Sequence, residues 1–239
     1  MNKKWLAGPY LVWMVGFIVI PLLLIVYYGL TDKSGAFTLA NVLSISTPEH
    51  VKALWLSLGL SLVSTVICLL LAYPLAMILR NRGIGQGSFI VFIFILPMWM
   101  NFLLRTLAWQ TLLEKNGVIN SILAFFRLPQ QSIINTPGAI VLGMVYNFLP
   151  FMILQIQTSL SKMDNSLLEA SADLGASPAQ TFKRVTLPLS VPGIINGITL
   201  VFLPAVSSFF IPKLLGGGQY VLIGNVIETQ FLTAGNWSF

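Results

Sequence analysis

The 239-residue chain has few charged residues, one cysteine and one histidine. Charged residues make up 8% of the sequence, against about 25% in an ordinary soluble domain, and hydrophobic residues make up 56%. Thirteen basic and seven acidic side chains cannot cover a soluble protein of this size, so the composition predicts a chain solvated by lipid. The lone Cys68 excludes disulfides and cysteine metal sites, and the lone His50 leaves little material for histidine-based catalysis.

The sequence also lacks the motifs of membrane hydrolases and of nucleotide binding. It contains no G-x-S-x-G, no H-E-x-x-H and no G-x-x-x-x-G-K-[ST]. No Asp, Glu, Lys or His lies inside its long apolar stretches, where a proton-coupled carrier usually keeps an ionisable group. We therefore expect a protein that is not an enzyme and binds no cofactor or metal. The energy for any pumping would have to come from another subunit.

Five apolar stretches are long enough to cross a bilayer, which takes about 17–25 helical residues. They are residues 5–30, 54–79, 88–104, 138–160 and 187–212. Their sequences lack the strict alternation of a membrane β-strand, so the expected fold class is an all-α polytopic membrane protein. Trp237 and Phe239 are typical of a membrane interface where a further span begins, so we expect a sixth helix to be missing at the C-terminus.

Basic residues near the span ends predict the orientation of the chain. The loops 80–87 and 161–186 are short and basic, whereas 31–53, 105–137 and 213–239 spread a similar number of basic residues over about twice the length. The positive-inside rule then predicts that the N-terminus lies in the cytoplasm. Arg105, at the end of the third stretch, is expected to extend to the outer interface.

The loop between the fourth and fifth stretches predicts a rigid helical hairpin. Ser166 and Glu169 fit a capping box that begins a first helix. Leu167, Ala170 and Leu174 then share one face of that helix. This face suits docking of a soluble partner in a groove, and the alternative is a connector that packs on its own bundle.

The second half of the same loop carries its own helix signals. Gly175 suits the left-handed conformation that ends a helix, and Ser177 with Gln180 fits a second capping box. Pro188 is expected to mark the entry to the fifth span. That span is punctuated by prolines, and its pair Gly193 and Gly197 allows close packing against another helix.

The spacing of this loop resembles the EAA loop of bacterial ABC importer permeases, whose pattern is E-A-A, three residues, G, nine residues, I-x-L-P. The chain has Glu169-Ala170-Ser171, Gly175 and Val185-Thr186-Leu187-Pro188 at those spacings, and departs only in Ser171 for Ala and Val185 for Ile. Further segments are similar to the first permease (B subunit) of spermidine/putrescine importers. They are Leu96-Pro97, Leu104-Arg105-Thr106, Leu203-Pro204-Ala205, Phe209-Phe210, Leu215-Gly216-Gly217 and Leu222-Ile223-Gly224-Asn225.

The resemblance implies a type I importer permease fold in a bacterial cell membrane, with residues 1–239 as one C-terminally truncated permease domain and 161–188 as its coupling loop. The implied partners are an ATPase subunit dimer that holds ATP and Mg, a second permease subunit, an extracytoplasmic binding protein and a polycationic substrate, with no nucleic acid. The loop would move with ATP-driven closure of the ATPases and switch the bundle between inward-open and outward-open states. The residues implied in coupling are Glu169, Ala170, Gly175, Leu174, Ser166, Leu187 and Pro188.

A substrate path for a polyamine needs groups that attract cations, such as carboxylates and aromatic faces. The candidates for the path or its gate are Phe209, Phe210, Ser207, Ser208, Asn101, Tyr146 and Glu228. For Pro204–Pro212, pore lining and helix packing are equally open. An importer for another small solute such as sulfate or iron, or a membrane scaffold that uses the same hairpin, also fits the sequence.

Overall fold

The computed structural model describes residues 8–32, 36–83 and 89–233. Its contacts divide the chain into two compact units, Met1–Leu54 with Val226–Phe239, and Trp55–Asn225. Four helices in the described ranges are long and apolar enough to cross a membrane. They are α1 (Gly8–Gly29), α3 (Pro48–Asn81), α7 (Pro137–Ser161) and α9 (Pro178–Val206).

Shorter helices connect these spans. They are α2 (Ala40–Ser44), α4 (Phe89–Trp99), α5 (Phe102–Leu113), α6 (Val118–Phe125), α8 (Asn165–Asp173), α10 (Phe210–Leu215) and α11 (Ile223–Glu228), which a π-helical turn over Thr229–Thr233 follows.

In the first unit, α1 is apolar on all sides, which is typical of a helix surrounded by lipid. A π-helical turn at Val15–Val19 interrupts it just before Pro21, whose missing N–H would otherwise leave a carbonyl of the preceding turn without a donor. After α1, Thr31 and Phe37 form an isolated antiparallel bridge. Residues 234–239, with the aromatic pair behind the expectation of a missing helix, lie outside the described residues.

The predicted third span is wrong as one continuous helix, because the chain breaks between α4 and α5. The Asn101 side chain accepts hydrogen bonds from the backbone N–H groups of Leu103 and Leu104, at 2.9 and 3.2 Å, and so begins a new helix. On the other side of the break, Arg105 Nη1 donates to the carbonyl of Pro97 at 2.7 Å. The two side chains satisfy backbone groups that a helix break leaves without partners.

The core of the second unit lies around α7, which packs along α9. Gly193 and Gly197 let these helices approach closely. A Cβ at Gly197 would lie 2.5 Å from the Met152 sulfur, and one at Gly193 would lie 2.8 Å from the Gln155 carbonyl oxygen. The structure thus confirms the packing role expected for both glycines.

The predicted fifth span has wrong boundaries at both ends. The helix begins at Pro178, inside the predicted hairpin, and ends at Val206 instead of continuing to residue 212. Pro188 does not start a new helix, because a π-helical turn at Phe182–Thr186 lets the helix continue past it. In that turn the N–H of Leu187 bonds to the carbonyl of Phe182, five residues earlier. This wider hydrogen-bond spacing lets the helix continue through Pro188 although proline has no N–H to donate.

Candidate functional site

The hairpin formed by α8 and the first turns of α9 begins at a different cap from the one predicted. Asp164, not Ser166, is the N-cap of α8, and its carboxylate accepts a hydrogen bond from the N–H of Ser166 at 3.0 Å. This bond lowers the pKa of the Asp164 carboxyl, because it favours the ionised form. The predicted capping role of Ser166 and Glu169 is therefore wrong, because Asp164 caps the helix instead.

The turn and second cap of the hairpin are as predicted. Gly175 has φ +75°, a conformation that favours glycine, and the N–H of Ala176 bonds to the carbonyl of Ser171 at 3.1 Å. Ser177 and Gln180 form a reciprocal capping box, with bonds of 2.9 and 3.4 Å. The capped turn fixes the shape of the hairpin.

A hydroxyl pair joins the two helices of the hairpin. Ser171 Oγ lies 2.8 Å from Thr181 Oγ1, and Ser171 is buried. This contact was missed from the sequence, where Ser171 appeared only as a small substitution for alanine in the EAA pattern. The signal available was the pair of hydroxyl residues Ser171 and Thr181, four residues before and six residues after Gly175.

Three contacts fasten the hairpin and the start of α9 to the end of α3. Arg80 Nη2 donates to Asn165 Oδ1 at 3.0 Å. The Tyr73 ring meets Phe182 edge-on with ring centres 5.7 Å apart, and its hydroxyl lies 2.8 Å from that of Ser190. The hairpin is therefore held against the bundle on one side.

The other side of the hairpin is open. Leu174 is 88% exposed and Leu167 is 44% exposed, and Ala170 and Glu169 are exposed beside them. The shared face predicted from the sequence is thus real, and no contact within the described residues covers it. Of the other predicted coupling residues, Ser166 and Gly175 also lie in the hairpin. Leu187 is half-buried and Pro188 exposed in the first half of α9.

The second candidate region is the break between α9 and α10. The chain leaves the helix at Ser207 and resumes it at Phe210. Asn225 Nδ2 donates to the carbonyl of Phe209 at 2.9 Å. The rings of Phe209 and Phe210 lie 4.3 Å apart, and Ser208 is half-buried between the helices. Gly224 fits closely here, because a Cβ would come 2.5 Å from the Ser207 carbonyl oxygen.

The remaining path candidates take other places. Asn101 is the N-cap of α5, and Tyr146 packs edge-on against Trp109 with ring centres 5.2 Å apart. Tyr146 also flanks the guanidinium of Arg105, 5.8 Å from its ring centre. Glu228 ends α11 and belongs to the first unit, whereas the other candidates belong to the second.

The expectation that Arg105 extends to the interface is wrong. Its side chain is 6% exposed, bonded to Pro97 and placed between the rings of Phe102 and Tyr146. The break before α5 supplies a free carbonyl and the aromatic rings supply their negative faces, so burial is favoured over an extended side chain. Across the described ranges, no group of three His, Cys, Asp or Glu side chains could hold a metal ion.

The comparisons with known proteins agree on a family. Residues 72–239 match the model of the binding-protein-dependent transport system inner membrane component. The chain is 38% identical over 235 residues to the spermidine/putrescine transport system permease protein PotB of Haemophilus influenzae, covering 95% of this chain and 82% of the relative. PotB of Escherichia coli K12 is also 38% identical, with 95% and 86% covered.

A solved structure shares the fold. The crystal structure of a bacterial ABC transporter involved in the import of the acidic polysaccharide alginate matches with a TM-score of 0.77 at 17% identity, over 99% of this chain and 87% of that chain. The predicted all-α ABC importer permease fold is confirmed, and this multi-pass membrane chain is a transport subunit that belongs to the family of binding-protein-dependent transport system inner membrane components.

Proposed function

We propose that this permease forms half of the translocation path of an ATP-driven polyamine importer. The substrate class is supported by the relatives, which are named for spermidine and putrescine and are 38% identical over 95% of the chain. The sulfate or iron alternative has no comparable support among these relatives. Substrate choice would rest mainly on an extracytoplasmic binding protein, since the predicted spans carry no interior carboxylate.

The observation that carries the mechanism is the continuity of α9. This helix has 29 residues, which at about 1.5 Å per residue is roughly 40 Å, and it runs from the hairpin to the break at Ser207. A displacement of the hairpin is therefore passed along one helix to Phe209 and Phe210 instead of being lost in a flexible linker. This is the kind of rigid element that couples two distant sites.

The exposed side of the hairpin is the proposed contact with an ATPase subunit. Leu167, Ala170 and Leu174 offer an apolar helix face for a groove, and Glu169 offers a carboxylate for a basic group at its edge. ATP and Mg would be held by the ATPase dimer alone. Closure of that dimer would push the hairpin and drive the bundle, with a second permease, from the inward-open to the outward-open state.

This assignment sets the orientation. The hairpin lies in the cytoplasm, as does the N-terminus, and the binding protein delivers substrate on the opposite side. The break at Ser207, Ser208 and Phe209 is the proposed gate, with Phe210 beside it. Glu228 is proposed to attract the cation near the entrance. Asn101 is proposed to support the path by capping α5, and Tyr146 through its contacts with Trp109 and Arg105.

The test is transport by the complete importer reconstituted in vesicles. Glu169→Ala and Gly175→Leu should leave the complex inserted and hydrolysing ATP but lower the number of labelled spermidine molecules moved per ATP. Glu114→Ala removes an equally exposed carboxylate from the end of α5 and should leave this ratio unchanged. Normal coupling in both hairpin variants would disprove the coupling role of the hairpin, and uptake of sulfate or iron instead of spermidine would disprove the substrate class.

A further inference from the structure

The short helix α6 has an apolar face that none of the described residues covers. Phe125 is 82% exposed and Phe126 67% exposed, and Val118 and Ile122 are about half exposed. Positions 118, 122 and 125 recur at helical spacing, so these side chains lie on one side of the helix. An exposed stripe of large apolar side chains is typical of a surface that contacts something other than water.

The opposite side of α6 is bonded to the segments that flank the helix. Asn120 is buried, and its Nδ2 donates to the carbonyls of Gln131 and Glu114, at 2.9 and 3.3 Å. The N–H of Gln131 donates back to Asn120 Oδ1 at 2.9 Å, and Ile119 packs against the core. These bonds leave α6 little freedom to turn its apolar face inward.

The same bonds tie α6 to the segments that connect it with α5 and α7. Glu114 follows the last residue of α5, and Gln131 lies six residues before α7, which spans the bilayer. Because Asn120 is bonded to both sides of this connection, α6 is held beside the backbone that leads from α5 into α7. An amphipathic helix in such a place can lie in the headgroup region with its apolar face in the acyl chains.

The charges around α6 fit anionic headgroups. Lys115 precedes the helix and Arg127 follows it, both exposed, and Glu114 is the one acidic residue between α5 and α7. Arg127 has φ 56°, in the left-handed region where glycine is the usual residue, and its N–H bonds to the carbonyl of Ala124 at 3.0 Å. A basic side chain therefore stands at the end of the apolar face at a position that glycine would occupy with less strain.

We propose that α6 lies in the bilayer interface, with Ile122, Phe125 and Phe126 in the acyl chains and with Lys115 and Arg127 on anionic lipid phosphates. This surface is separate from the hairpin and the gate, and the proposal does not depend on the polyamine assignment. Its function is to hold the connection between α5 and α7 at the membrane surface.

The test places a nitroxide label at single positions of the full chain with its co-purified subunits, in nanodiscs of phosphatidylethanolamine and phosphatidylglycerol. Phe125→Cys and Ile122→Cys in a Cys68→Ala background report on the apolar face. Ala124→Cys is the matched control, because residue 124 is also exposed but lies off that face. Lipid-soluble oxygen should relax the labels at 122 and 125 more than an aqueous nickel chelate does, with the order reversed at 124.

Two results would overturn the proposal. Labels at 122 and 125 that are shielded from both reagents would mean that another protein subunit covers the face, and labels relaxed mainly by the chelate would mean that it faces water. For the charge contribution, Arg127→Gln should shift the 125 label toward the chelate in phosphatidylglycerol-containing nanodiscs. An unchanged label would overturn the assignment of Arg127 to lipid phosphate.

Discussion

The hydroxyl groups of Ser171 and Thr181 lie 2.8 Å apart and join the two helices of the hairpin across Gly175. Ser171→Ala should leave the half-buried Thr181 hydroxyl without this partner and destabilise the hairpin by about 0.5–1.5 kcal/mol. Amide exchange over residues 166–182 in the full chain should become faster. Transport should persist at a lower ratio to ATP hydrolysis, since the substitution keeps the docking face.

A double-mutant cycle separates this bond from side effects of each substitution. If the pair acts as a unit, Ser171→Ala and Thr181→Ala together should cost little more than either alone. Strictly additive effects on amide exchange would show that the two hydroxyls do not stabilise the hairpin through each other.

The cap of α8 should make the hairpin sensitive to acid. The hydrogen bond from the Ser166 N–H lowers the pKa of Asp164 in the folded hairpin. The stabilisation is therefore complete above the unfolded-state pKa of about 3.9 and is lost as the pH falls through the lower folded-state value. Amide exchange in α8 measured against pH should show this loss. Asp164→Asn should remove the pH-dependent step.

The matched control is Asp173→Asn, an exposed carboxylate in the last turn of the same helix. It keeps the Asp164 cap, so the acid-dependent step should remain. Loss of the step in the Asp173 variant, or its persistence in Asp164→Asn, would assign the pH dependence to a different group.

Features that depend on neighbouring residues could be predicted from the sequence, and features that depend on distant ones could not. Gly175 and the box of Ser177 with Gln180 are local, and the structure confirms them. The prediction of the first cap was wrong because Asp164 and Ser166 are both favourable N-cap residues and lie two residues apart. The sequence pattern alone does not show which of them caps the helix.

The failures in the membrane part have a common cause. The buried position of Arg105 depends on a carbonyl freed by a helix break and on the ring of Tyr146, 41 residues later by numbering. The early end of α9 depends on Asn225, which bonds to Phe209 from 16 residues away. Apolar runs predict that a segment enters the membrane, but tertiary contacts decide where its helix stops.

Close packing between α7 and α9 should make Gly193 intolerant of even one added carbon. In Gly193→Ala the new Cβ would meet the backbone carbonyl oxygen of Gln155 at 2.8 Å, so we expect the chain to lose about 1–3 kcal/mol of stability. Gly59→Ala makes the same change in α3, where nothing lies within 4 Å, and should be neutral or slightly stabilising. Thermal unfolding of the detergent-solubilised chain compares the two, and equal effects would contradict the packing argument.

Asn225 stabilises the break between α9 and α10 with two hydrogen bonds. Its Nδ2 donates to the Phe209 carbonyl at 2.9 Å, and its Oδ1 accepts from the N–H of Leu222 at 3.3 Å. Asn225→Ala removes both bonds, so the segment that carries the proposed gate should lose its fixed shape. Phe209→Ala should act in the same direction by removing one of two rings whose centres lie 4.3 Å apart.

Both variants should therefore raise ATP-independent leak of labelled spermidine through the reconstituted importer severalfold. Leu203→Ala is the control, because this exposed side chain lies one turn before the break and its carbonyl still accepts from the N–H of Ser207. A Phe209→Ala variant that shows no increase in leak would mean that the gate does not lie at residues 207–210. A leak in Phe209→Ala but not in Asn225→Ala would still place the gate at these residues. Its shape would then be maintained without the Asn225 amide, by close packing at Gly224, where a Cβ would meet the Ser207 and Ser208 carbonyl oxygens.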